Sequence, residues 1–86
     1  MEEAMELKVG QLVYSRAGRD RGKFLAVVDI TEKGVFIADG KERPLERPKC
    51  KNPKHLAATA TVLDSGSMST NRALRQAIAK FIAANN

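Results

Sequence analysis

The sequence predicts a mainly β fold, a small five-stranded barrel followed by one C-terminal α-helix. Three observations predict it. Short apolar, β-branched runs recur between residues 11 and 57 at intervals of roughly ten residues, the spacing of a small all-β domain. Turn signals separate these runs, and Asp39-Gly40 is the strongest because both residue types tolerate positive φ. From Asn71 the apolar period changes to that of a helix, with Leu74, Ala77, Ile78, Phe81 and Ile82 on one stripe.

Residues 1–8 are mixed and charged, a frayed end or an incipient strand. Gly10 opens the first strand, Gln11 to Ser15, in which Leu12 and Tyr14 share a face. Ala17 to Arg21 reads as a loop. Phe24 to Ile30 is nearly continuous apolar and reads as a strand buried on both faces. Thr31 to Gly34 is a turn and Val35 to Ala38 a third strand. Lys41 to Glu46 is expected to return as a fourth strand, confined to an edge or a bulge by Pro44, which has no N–H to donate. Pro48 and Pro53 bracket a basic loop, and His55 to Ala57 is the fifth strand. The expected division is a barrel over residues 6–58, a linker over 59–69 and an amphipathic helix over 70–84, with Thr70 or Asn71 as N-cap.

Composition narrows the function. At 86 residues the chain is one small domain, too short to hold a large lidded active site beside a core. Fifteen Lys and Arg against ten Asp and Glu leave a net charge of +5, which favours a polyanionic partner, nucleic acid before acidic membrane. Cys50 is the only cysteine, so no intramolecular disulfide can form, as suits a reducing compartment. No apolar run approaches the length of a membrane span or a signal-peptide core. The expectation is a cytoplasmic protein without membrane contact. Cys50 and His55 are too few for a zinc site, and no nucleophile, base and orienting group can be assembled, so neither metal, cofactor nor catalysis is expected.

Two basic clusters carry the functional reading. Arg16, Arg19, Arg21 and Lys23 lie within eight residues around Gly18 and Gly22, between two strands. Arginine and lysine reach phosphate oxygens, and glycine lets backbone N–H groups approach a phosphodiester. From Lys41 to Lys54 six basic residues outnumber two carboxylates, with Lys41, Arg43, Lys49, Lys51 and Lys54 as candidate phosphate contacts. The Asp39-Gly40 turn and the 48–53 loop could set this cluster beside the first. Charge guarding an edge strand accounts for Lys41 to Arg43, but less well for the acid-free stretch Arg47 to Lys51. Aromatics are scarce, and Tyr14, Phe24, Phe36 and Phe81 all fall on apolar periodicity. Folded RNA, read by shape and phosphate, is therefore a better target than a run of stacked single-stranded bases.

The stretch VGQLVYSRAGRDRGKFLAVVDI resembles a KOW motif, with an apolar strand, a loop, a basic residue before glycine (Arg21-Gly22), Lys23, and a β-branched strand. Together with VFIADGKERPLERPKCKNPKHL it makes residues 6–58 similar to the small bacterial KOW-domain RNA-binding proteins, themselves similar to an archaeal and eukaryotic large-subunit ribosomal protein. In place of the further glycine that often follows in the KOW pattern, this chain has Phe24-Leu25. The resemblance implies an SH3-like barrel and non-enzymatic, ribosome-associated binding to rRNA. It places the contact on the loop of Arg16, Gly18, Arg19, Arg21, Gly22 and Lys23. The alternative is an adaptor that docks on ribosomal or transcription proteins through the barrel and the Leu74–Ile78–Phe81 ridge of the helix.

Overall fold

A computed structural model describes residues 7–85. Leu7 and Lys8 are irregular, and the expectations for residues 1–6, including the start of the barrel at residue 6, lie outside the described residues. Five antiparallel strands follow: β1 (Gln11–Ser15), β2 (Phe24–Thr31), β3 (Gly34–Ala38), β4 (Lys49–Lys51) and β5 (Leu56–Val62). They form one sheet in the order β4-β3-β2-β1-β5, and among the described residues one α-helix, α1 (Asn71–Ala84), follows them. Among the described residues no helix is long and apolar enough to cross a membrane.

Alternation along the strands divides the apolar residues between the two faces of the sheet. One face gathers Val13, Leu25, Val27, Val35, Ile37 and Leu56, with Leu7 packed against them. The other presents Leu12, Ala26 and Ala38 to Leu74 and Ile78 of α1. Strand β2 is apolar on both faces through Val27, with Leu25 and Val27 in the first cluster and Ala26 against α1 in the second. Beyond a register shift between Val27 and Asp29 the strand is exposed. The small side chains Ala26 and Ala38 let the helix approach the sheet closely. Thr70 caps α1, its hydroxyl accepting from the Ala73 amide at 3.0 Å.

Three expectations are corrected. Lys41 to Glu46 is not a strand: Asp39 accepts from the amides of Lys41 and Arg43 through Oδ1, both at 2.9 Å, and folds the segment into a turn. The Asp39-Gly40 pair therefore opens a compact turn instead of a two-residue hairpin, and Gly40, at φ +81°, packs on the carbonyl of Asn71. The fourth strand instead lies at Lys49–Lys51, inside the stretch expected as a basic loop. It pairs Val35 with Lys51 and Ile37 with Lys49. Finally, the fifth strand runs on to Val62, so residues 59–62, expected as linker, are strand. Its register against β1 shifts between Gln11 and Val13, and side chains fill the irregularity: Thr59 Oγ1 donates to the Leu12 carbonyl and Gln11 Nε2 to the Thr59 carbonyl, both at 2.8 Å.

Candidate nucleic-acid interface

The loop between β1 and β2 is closed at its base by two backbone bonds at 2.9 Å, Ser15 N–H to the Lys23 carbonyl and Gly22 N–H to the Ser15 carbonyl. Within it, Arg21 N–H reaches the Gly18 carbonyl at 3.2 Å and Lys23 N–H the Asp20 carbonyl at 3.0 Å. These turns need left-handed backbone at Gly18 (φ +80°) and Gly22 (φ +84°), which glycine adopts without steric cost.

Two buried charged side chains tie the loop to its surroundings. Lys51 is only 9% exposed and its Nζ donates to the Ala17 carbonyl at 2.6 Å. Gly18 sits so close that a Cβ there would stand 2.9 Å from that amine. Asp20 is 2% exposed, and its Oδ1 accepts from Arg43 Nε at 3.2 Å while its Oδ2 is buried with no donor among the described residues. A third link is at the surface, where Lys23 Nζ donates to Glu42 Oε1 at 2.6 Å. That hydrogen bond raises the Lys23 pKa above its usual range and lowers that of Glu42.

The two basic clusters thus meet, but not all of their cations are free for a ligand. Arg16, Arg19 and Arg21 are exposed and, among the described residues, have no carboxylate partner. Gly18 and Gly22 lie exposed beside them. Lys41, on the 39–43 turn, is exposed and uncommitted, as are Lys49 on β4 and Lys54 on the short 3-10 turn Pro53–His55. That turn abuts the loop, since Arg16 N–H donates to the His55 carbonyl at 2.8 Å. Of the expected phosphate contacts, Lys51 is buried with its amine on the Ala17 carbonyl and Arg43 is half-buried with its Nε on Asp20, so both are engaged within the chain where the exposed arginines are not. Lys23 is exposed but paired with Glu42.

Two placements escaped the sequence reading. The first is that of Arg75, which the helical period puts on the polar face of α1 with Arg72 and Lys80, but whose stem packs on Gly40, beside the 39–42 turn. The second is a row of aromatic rings beside the loop: Tyr14 to Phe24 at 5.1 Å between centroids, and Phe24 to Phe81 at 5.2 Å, edge to face. Tyr14 is 38% exposed and Phe24 half-buried, so the row is not wholly interior. Tyr14 and Phe24 are direct partners in the β1–β2 ladder, a pairing that their symmetric placement about the loop could have suggested. No protein-family model matches the chain.

Proposed function

We propose that this chain is a non-enzymatic, cytoplasmic RNA-binding module, that its sheet is an SH3-like barrel of the KOW type, and that structured RNA, rRNA first, lies across the β1–β2 loop. The observation that carries this is the construction of the loop. Buried Lys51 holds its backbone at Ala17 and buried Asp20 ties it to Arg43, while Arg16, Arg19 and Arg21 face solvent without internal side-chain partners among the described residues. A fixed loop loses little entropy when its arginines engage phosphate. The barrel reading is supported by the return of β5 to β1, the irregularity in β2 and the 3-10 turn before β5. Burial of one sheet face with only Leu7 packed against it as a non-strand residue also favours a sheet curled upon itself. The adaptor alternative has less to dock with, because Leu74 and Ile78 are already spent on the sheet.

The test is binding of purified rRNA by fluorescence anisotropy across a salt series, for the wild type and the Arg19→Gln/Arg21→Gln double variant. Each lost phosphate contact should flatten the dependence of log Kobs on log salt by about 0.7–0.9. The double variant should therefore bind more weakly and respond less to salt. An unchanged slope removes this loop as the footprint.

A further inference from the structure

An open groove of about 640 Å³ lies beside the basic loop, between Gly22–Phe24, the 39–42 turn and α1. Its floor is apolar, made by Phe24, Ile78 and Ile82, and Ile82 is 40% exposed among the described residues. Five charged groups line it, and three have their charge engaged within the chain. Lys23 and Glu42 hold each other at 2.6 Å, and Asp39 Oδ1 accepts two backbone amides. Lys41 and Arg75 remain, both exposed and without an acidic partner among the described residues. Gly22 adds no side chain at the lip, and Tyr14 continues the aromatic surface from Phe24.

An apolar floor in one groove with two uncommitted cations, near three exposed arginines, suits a ligand that is planar and apolar at one end and anionic at the other. The volume falls within the roughly 300–1,000 Å³ of sites for small ligands. An unpaired nucleotide has that chemistry: bases splayed from folded RNA stack on aromatic and apolar side chains while cations hold the backbone. We propose that this groove takes one unpaired nucleotide of a bound RNA, its base on Phe24 and Ile82 and its phosphate at Lys41 and Arg75. The inference rests on the RNA-binding reading above and deepens it: the loop holds the duplex by its phosphates, and the groove selects an RNA carrying a bulged nucleotide next to that duplex.

The experiment compares two RNA hairpins, one fully paired and one identical but for a single bulged adenosine. Both are titrated with the wild type, Ile82→Ser, Arg75→Gln and Ile30→Ser. Ile30 is a comparably exposed apolar residue that does not line the groove. The wild type and Ile30→Ser should prefer the bulged hairpin by about tenfold, the scale of one stacked base. Ile82→Ser should reduce that preference without changing affinity for the paired hairpin. Arg75→Gln should flatten the salt dependence for the bulged hairpin alone, by about 0.7–0.9. If the wild type binds both hairpins equally, the groove proposal falls and the loop reading stands. A preference that survives both groove variants places the base elsewhere and also overturns the proposal. If neither hairpin binds, the RNA reading fails and the groove proposal with it.

Discussion

Lys49 and Lys51 flank Cys50 on one three-residue strand, yet they do opposite things. Lys49 is exposed, whereas Lys51 extends its amine under the loop to the Ala17 carbonyl. A hydrogen bond from a charged donor contributes about 1.5–3 kcal/mol, and the Ala17 carbonyl is part-buried. Lys51→Met, which keeps the stem, should therefore lower unfolding stability by about that amount, whereas Lys49→Met should stay within about 0.5 kcal/mol of the wild type. Urea denaturation of the two variants reads the difference directly. Equal effects would mean that the Lys51 amine does not support the loop.

At the scale of elements, α1 is the most informative. A helix of 14 residues is marginal alone in water, so its stability must come from what it covers. It covers Leu12, Ala26 and Ala38 with Leu74 and Ile78, and its first turn is tied to the 45–46 turn by Asn71. Asn71 Oδ1 accepts from the Leu45 amide at 2.8 Å and its Nδ2 donates to Glu46 Oε1 at 2.9 Å. Leu74 is fully buried, so Leu74→Ala should cost about 2–5 kcal/mol, and Thr70→Ala about 1 kcal/mol through loss of the cap. Helix and sheet share this core, so far-ultraviolet circular dichroism and Tyr14 fluorescence should report one unfolding transition in both variants. Two separate transitions would show that the helix is not an integral layer.

Across the whole molecule, exposed charges set the response to pH. Hydrogen bonds lower the pKa of Glu42 (from Lys23), Glu46 (from Asn71) and Asp64 (from Ser67) below the ordinary 4.5, 4.5 and 3.8. In each case the unfolded chain takes up the proton first. Their contribution is present above those ordinary values and is lost as pH falls through the lower folded ones. Lys23 runs the other way: its pKa is raised by Glu42, so its contribution is complete below 10.5 and is lost as pH climbs through the higher folded value. All four groups are solvent-exposed, and their effects should be small and screened by salt. Thermal melts from pH 2 to 11 should show a plateau that declines at both ends. Glu42→Gln should weaken both declines, because it removes the carboxylate and unpairs Lys23. A variant profile matching the wild type would show that the pair contributes nothing in solution.

The chain's own order determined the β-rich class, the extents of the first three strands to within a residue and the helix to within a residue at its start. Those features follow from alternation, helical period and capping, which act between near neighbours. The loop as the centre of basic charge was legible for the same reason. Tertiary structure decided the rest. Whether a basic side chain stands exposed and uncommitted or is held by an internal partner depends on what lies beside it, which separates Lys51 from Lys49 and Arg43 from Lys41. The fourth strand moved to 49–51 because the Asp39 carboxylate capped the segment after Gly40, and β5 reached Val62 because Thr59 and Gln11 satisfied its irregular ladder. Neither the alignment of Tyr14, Phe24 and Phe81 nor the placing of Arg75 beside Lys41 is written in any local pattern. Both arise from how α1 lies on the sheet, a choice made by packing Leu74 and Ile78 over two alanines far away in the chain.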